Sequence, residues 1–443
     1  MKKFLPAVLL LAACEGSPPE IAGTPYQPDS GNLFVRCGAL IDGISDEVMH
    51  DRMVVIRDGR IEMIVDGDAE VRPSMTFLDL SDKTCLPGLT NTHAHLDGSP
   101  EDYEDFSIYY RRTTEETNNL ARKFATETLL TGFTSIWNLG AYFPEAIYLV
   151  DEEIEAGKLA GPRILTAGPY LTIPAGGGDM VIPGHDESEI PEGSRLGVAR
   201  GPEDFAQKTQ DAIDRGADLI KVIASGAVFA FGGVPGAPEM TEEEIAAVVK
   251  VAHAAGLKVT AHVHSAESGK DAVRAGVDTF EHASLLDDET IAMVAEAGIA
   301  LSMDVYNGSY TEEVGREQGY PEEFMRKNYE TTEAQRVVFE KAYAAGIRIL
   351  YGTDSGVLPH DMGGWQFDIM VQRGMDPMDA IRSATSWAAE HMDLSADVGA
   401  IEAGRYGDLI AVSGNPLTDM KLMRNVDVVV KGGLVFKNES TNE

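Results

Sequence analysis

The sequence predicts an α/β fold: a (β/α)8 TIM barrel with a small β-sandwich domain built from both chain ends. Three observations predict it. From about Gly88 to about Met392, short apolar strands alternate eight times with helical stretches, the pattern of a parallel barrel. Several helices end in Ala-Gly, at Ala255-Gly256, Ala275-Gly276 and Ala345-Gly346, which suits a helix C-cap before the next strand. On both sides of this region the texture changes to short strands and tight turns.

The elements follow in order. Lys2 and Lys3 precede an apolar run from Phe4 to Ala13, too short to span a bilayer as a mature helix, so residues 1–13 read as a signal peptide. The run ends in Leu11-Ala12-Ala13-Cys14, which resembles the lipobox of bacterial lipoproteins. That resemblance implies cleavage before Cys14 and lipid on it; an ordinary secretory peptide with an incidental Cys14 is the alternative. Glu15 follows the cysteine, not the Asp that usually retains lipoproteins in the inner membrane. The expected location is therefore the periplasmic face of the outer membrane, reached through the lipid alone. Residues 14–31, rich in proline, read as a flexible tether.

Residues 32–87 supply the first part of the β domain, with strands Leu33-Phe34-Val35-Arg36, Met53-Val54-Val55-Ile56 and Arg60-Ile61-Glu62-Met63-Ile64. Asp58-Gly59 marks a hairpin. Cys37 and Cys85 are read as either a disulfide or two buried thiols. The barrel occupies 88–399. Its strands are read at Cys85 to Asn91, Thr134 to Leu139, Arg163 to Ala167, Leu219 to Ala224, Lys258 to His262, Thr279 to His282, Ala300 to Met303 and Arg348 to Tyr351. Helices such as Glu242 to Ala255 and Glu333 to Ala345 lie between. Gly168 to Gly201 and Val228 to Met240, rich in Gly and Pro, read as long loops over the mouth. Residues 400–443 return to strands, at Asp408 to Val412, Val426 to Val430 and Leu434 to Phe436, with Lys431-Gly432-Gly433 as a turn.

Composition narrows the function. The net charge of −36, from 72 acidic and 36 basic residues, argues against nucleic acid and against charge-driven binding to anionic membranes. A thiolate zinc site is not expected, because no two cysteines lie close together.

Chemistry is expected where barrel strands end. Strand one ends in Asn91-Thr92-His93-Ala94-His95, and alternate strand residues face one side, so two imidazoles can aim at one point. Strand four carries Lys221, strand five Ala261-His262-Val263-His264, strand six Glu281-His282-Ala283-Ser284, and strand eight Thr353-Asp354-Ser355. Strands two, three and seven are read as supplying no comparable group. Each residue alone has an ordinary explanation: a satisfied polar histidine, a snorkelling lysine, a helix-capping Thr-Asp-Ser. Their conjunction at one end of different strands points to a site.

His93-Ala94-His95, Lys221, His262, His282 and Asp354 resemble, in order and strand position, the metal centre of the amidohydrolase superfamily. Leu86-Pro87-Gly88-Leu89 and Asp408-Leu409-Ile410 with Gly414-Asn415-Pro416-Leu417 resemble it too. Gly216 to Lys221, Ala224-Ser225-Gly226, Ala261 to His264 and Gly276 to His282 resemble its prolidase-like branch of dipeptidases, carboxypeptidases and ochratoxin-hydrolysing enzymes. The resemblance implies two divalent ions, zinc by expectation, with manganese or cobalt compatible. His93, His95 and Asp354 would hold the more buried ion and His262 and His282 the more exposed one. Lys221, carboxylated by CO2 to a carbamate, would bridge them. It further implies a hydroxide between the ions, Asp354 as general base and then acid, and His264 contacting the substrate carbonyl or oxyanion. His360 and His185 are weaker candidates for substrate contact, each equally readable as a surface histidine. Tyr170 and Phe229 are read as shaping the pocket.

The expected substrates are dipeptides, N-acyl amino acids or ochratoxin-like amides, cleaved next to a C-terminal amino acid. A cyclic amide or imidazolone hydrolase of the same superfamily is the first alternative. A peptide-binding lipoprotein without turnover is the second. The resemblance also implies a homo-oligomer.

Overall fold

The computed structural model describes residues 32–71 and 76–439. The signal segment, Cys14 and the tether lie outside the described residues. Both chain ends build one seven-stranded sheet, from β1 (Leu33–Leu40), β2 (Met49–Arg57), β3 (Arg60–Asp66) and β4 (Thr76–Pro87) at the start of the chain. Eight strands of the central region follow: β5 (Leu89–Ala94), β6 (Phe133–Asn138), β7 (Arg163–Thr166), β8 (Ile220–Ile223), β9 (Val259–Ser265), β10 (Thr279–Leu285), β11 (Ala300–Met303) and β12 (Ile349–Tyr351). β13 (Leu409–Val412), β14 (Val428–Lys431) and β15 (Leu434–Asn438) complete the end sheet.

In the end sheet the order is β15-β14-β13-β4-β1-β2-β3. The two halves are joined edge to edge in one hydrogen-bonded sheet. β4 is the reason, because it pairs with β1 in parallel and β13 antiparallel, so its two edges take one partner from each end of the chain. Apolar residues alternate along β1, with Leu33, Val35 and Cys37 turned to one buried cluster and Phe34 to another. Cys37 and Cys85 are joined in a disulfide between β1 and β4, which settles the pair's open reading.

The strand read as Cys85 to Asn91 is divided. Its first residues belong to β4, and Gly88 separates them from β5. A Cβ at Gly88 would sit 2.3 Å from Thr134 Oγ1, so only glycine lets the chain cross between the sheets here.

The central strands are all parallel, arranged as β5-β6-β7 and β8-β9-β10-β11-β12. Isolated bridges stitch the two groups, Leu171 to Val222 on one side and Ala94 to Ser355 on the other. Helices alternate with the strands. The helix Glu242–Ala254 starts at a Thr241/Glu244 capping box, which satisfies amide groups of its first turn. Gly256, Gly276 and Gly346 take left-handed φ where the sequence suggested helix ends. The helix expected from Glu333 begins earlier and runs Glu322–Ala344, because Pro321 can precede a helix at no hydrogen-bond cost. The main apolar core lies between strands and helices, with Phe205, Phe280, Phe339 and Phe367 fully buried.

Candidate metal centre and active site

The C-terminal strand ends converge. Alternation along β5 turns His93 and, just beyond it, His95 inward, and their Nε2 atoms lie 3.2 Å apart. Asp354 Oδ1 lies 3.4 Å from His93 Nε2 and 3.2 Å from His95 Nε2. Three ligands around one tetrahedral zinc-like ion, each about 2.0–2.1 Å away, would be separated by about 3.3 Å. The backbone holds this register: the Asp354 N–H donates to the His93 carbonyl at 2.8 Å, and the His95 N–H to the Ser355 carbonyl at 2.7 Å. Asp354 (φ +51°) and His282 (φ +66°) both take left-handed backbone, which non-glycine residues avoid except where surrounding structure imposes it. At His282 this breaks strand alternation. Adjacent Glu281 and His282 can then both approach His93, with Glu281 Oε2 2.8 Å from His93 Nδ1 and the His282 ring centroid 5.0 Å from that of His93.

Outer partners orient the imidazoles. His95 Nδ1 is 3.0 Å from the Gly140 carbonyl, which can only accept, so Nδ1 carries the proton and Nε2 presents its lone pair. Tyr170 Oη lies 3.0 Å from the same Nδ1. His282 Nδ1 donates to Asp304 Oδ1 at 3.0 Å, and Gln335 Nε2 donates to that oxygen at 2.6 Å. Asn307 Nδ2 donates to Asp304 Oδ2 at 3.1 Å and to Asp354 Oδ2 at 3.3 Å. The sequence reading assigned no group to the seventh strand. Asp304 corrects this: it directly follows β11 and reaches the site through His282. A strand-end carboxylate was a visible signal, but it was one acid among 72.

His262, His264 and His282 bring ring nitrogens within 4.8 Å of one another, as His93, His282 and Asp354 bring their ligand atoms. His264 Nδ1 lies 2.9 Å from Ser284 Oγ, and its ring stacks on His282 at 4.8 Å. Lys221 is 1% exposed, and among the described residues neither its Nζ nor His262 Nε2 has a hydrogen-bond partner. Burial holds the Lys221 amine below its usual range and holds His93, His262 and His264 far below theirs, in the neutral form that ligates metal. Burial would also lower His282, but the Asp304 charge reverses the sign. Burial raises Asp354, and the neighbouring His93 and His95 more than offset this, so it lies below the usual carboxylate range. Buried, partnerless nitrogen donors beside convergent imidazoles and a carboxylate fit a divalent metal.

These groups line a cavity of about 960 Å³, part of it open to solvent. Tyr170 and Phe229 line it as expected. His360 does not. It is buried, with Nε2 3.2 Å from the Gly98 carbonyl and its ring stacked 4.3 Å from Phe124. Six residues beyond Asp354, His360 is engaged with Gly98 and Phe124 and serves as a packing group. His185 pairs with Glu189 on the loop after β7, outside the cavity. The two long loops supply only part of the lining; Tyr103, Phe106 and Tyr109 after β5 and Asn328 and Thr331 of Glu322–Ala344 supply more.

Residues 84–435 match the amidohydrolase family. The chain belongs to that family. This amidohydrolase is 28% identical to ochratoxinase from Aspergillus niger, over 91% of this chain and 86% of that protein. Among solved structures it is similar to a Xaa-Pro dipeptidase with bound methionine in the active site (TM-score 0.85, 33% identity, 92% of this chain and 100% of that one). It is also similar to the A. niger ochratoxinase structure (TM-score 0.79, 26% identity, 93% and 96%). The family and these neighbours imply a TIM-barrel-like α/β fold for the amidohydrolase. They make it an enzyme, a hydrolase of amide or peptide C–N bonds, and so set aside a binding protein without turnover.

Proposed function

We propose that this amidohydrolase cleaves an amide or peptide bond next to a C-terminal amino acid, in dipeptides, N-acyl amino acids or ochratoxin-like amides, at a binuclear divalent-metal centre. The observation that carries the reading is the mutual 3.2–3.4 Å approach of His93 Nε2, His95 Nε2 and Asp354 Oδ1, with Lys221 buried beside them. His93, His95 and Asp354 would hold one ion and His262 and His282 the second. Lys221, after adding CO2 to form a carbamate, would hold both. Two divalent ions, zinc by donor type, would supply Lewis acidity and a water acidic enough to attack near neutral pH.

The chain's own residues supply the rest. Asp354, steadied by Asn307 at Oδ2, takes the proton of the attacking water and passes it to the leaving amine. His264, whose Nδ1 is anchored by Ser284, presents Nε2 to the substrate carbonyl oxygen. Both groups line the cavity.

The test joins metal analysis to turnover. The wild-type chain is expected to hold about two ions and to release free amino acid from a panel of Xaa-Pro, Xaa-Phe, Xaa-Arg and N-acyl substrates. Lys221→Ala is expected to lose bridging and turnover together. Full activity in that variant, without added short carboxylates, rules the reading out.

A further inference from the structure

From His95 outward the rings of Tyr170, Tyr142, Tyr109, Phe106, Tyr103 and Phe229 follow one another. Successive centroids are 5.6, 5.1, 5.3, 5.2, 6.0 and 4.7 Å apart. All six line the cavity, and they come from four separate segments, so the fold assembles a continuous aromatic wall that starts at the metal-site histidine. Tyr103, Phe106 and Tyr109 are buried, and Tyr142, Tyr170 and Phe229 are half-buried, so the packed rings back a rigid aromatic surface on the cavity. Burial keeps the tyrosine hydroxyls of Tyr103 and Tyr109 well above their usual range, so they stay neutral.

The charges around the wall point the same way. Among the described residues, Lys221 alone of the lysines and arginines lines the cavity, and it lies at the metal site. Cations in the surrounding segments are already engaged. Arg112 pairs with Asp102 at 2.5 Å and Arg195 with Asp179 at 2.6 Å. Lys327 pairs with Glu323 at 2.7 Å and donates to the Ala230 carbonyl at 2.6 Å. Asp97, buried and accepting from the Tyr142 N–H at 2.9 Å, lines the cavity beside the wall. A substrate carboxylate lying against this wall meets no cationic side chain.

We propose that the aromatic wall, and not a cationic clamp on the substrate's terminal carboxylate, selects the substrate. The site takes amides whose amine part carries an aryl or similarly large apolar group, and it accepts an uncharged group where the C-terminal carboxylate would be. This rests on the amide-hydrolase reading above.

Matched substrates of the metal-loaded enzyme test it. N-benzoylphenylalanine, N-benzoylphenethylamine (the same amide without the carboxylate) and N-benzoylalanine are compared by kcat/KM. Loss of the carboxylate is expected to change kcat/KM by less than about threefold, and loss of the phenyl ring to lower it by about tenfold or more. Phe229→Ala is expected to raise KM for N-benzoylphenylalanine about tenfold with a much smaller change in kcat, the split that lost substrate binding produces. A drop of about thirtyfold or more on removing the carboxylate, with the ring kept, overturns the proposal. Binding separates it from the hydrolase reading. Calorimetric titration with L-phenylalanine and L-phenylalaninamide is expected to give affinities within about threefold of each other, both weakened by Phe229→Ala. Binding of the acid alone, or of neither compound, overturns the proposal even if amides are hydrolysed. Binding of both without turnover of any amide supports the wall and removes the hydrolase reading.

Discussion

At the scale of single residues, the site depends on groups that touch no reacting atom. Asp304 is the clearest. Its Oδ1 accepts a hydrogen bond from His282 Nδ1–H, which leaves the lone pair of His282 Nε2 free for a metal, and Gln335 fixes the carboxylate in turn. Asp304→Ala is expected to weaken metal binding about 10- to 100-fold, as loss of such a partner does elsewhere, while the chain remains folded. Titration against a competing chelator measures it, and unchanged affinity removes Asp304 from the positioning role. Gly352 is a second such residue. A Cβ there would lie 2.1 Å from Ser302 Oγ and 2.9 Å from His93 Cβ. Gly352→Ala is therefore expected to displace His93 and cost activity more than stability, read as kcat/KM against unfolding temperature. The principal site groups were legible because each is a chemically distinctive side chain at a strand end. Asp304 was not, and Glu281, visible at the end of the sixth strand, carried no sign of its role. One carboxylate among many carries no mark in sequence, and the left-handed turn at His282 that lets Glu281 approach His93 is a backbone event. His360 misled for the converse reason: nearness in sequence to Asp354 says nothing about where a turning chain points.

At the scale of elements, alternation of strand and helix was readable because period-two and period-3.6 patterns differ, and because capping glycines separate them. The joining of the end strands into one sheet was not, since pairing partners lie more than 300 residues apart, as between β4 and β13. The mouth loops also meet in a way that sequence hides. Glu239, at the end of the loop after β8, accepts from the Gly177 N–H of the loop after β7 at 2.8 Å. Burial pushes the Glu239 carboxyl up to about 7. The folded chain thus holds a proton there that the unfolded chain, with an ordinary glutamate near 4.5, has lost. Stability from this group is present at low pH and falls as pH rises from about 4.5 to about 7, where it levels off. Glu239→Gln keeps a carbonyl acceptor for Gly177 and removes the titration. Relative to wild type the variant is expected to gain about 2–3 kcal/mol at pH 8 and nothing at pH 4. Denaturant unfolding at the two pH values measures the difference, and an equal effect at both removes the assignment.

At the scale of the whole molecule, the end sheet and the site are mechanically continuous. β4 passes through Gly88 directly into β5, the strand that carries His93, and the Arg163 guanidinium of β7 pairs with Asp408 just before β13 while lying 4.1 Å over the Tyr406 ring. The Arg60 guanidinium lies over the same ring at 4.0 Å, so one tyrosine is flanked by a cation from the end sheet and one from the central strands. The Cys37–Cys85 disulfide locks β1 to β4 across 48 residues of chain. A loop of that length lowers the entropy of the unfolded chain enough to stabilise the fold by about 4 kcal/mol. For a protein of this size, with an unfolding entropy that scales with length, that corresponds to roughly 5 °C in Tm. The pair Cys37→Ala and Cys85→Ala is therefore expected to lower Tm by about 5 °C, and reductant to have the same effect on wild type and none on the variant. Because both cysteines are buried in the end sheet, turnover at 25 °C is expected to change less than about twofold, stability and catalysis separating where the sites do not touch. A loss of metal along with the disulfide has a different meaning: β4 then sets the position of β5, and the end sheet is part of what holds His93 and His95 on their common point.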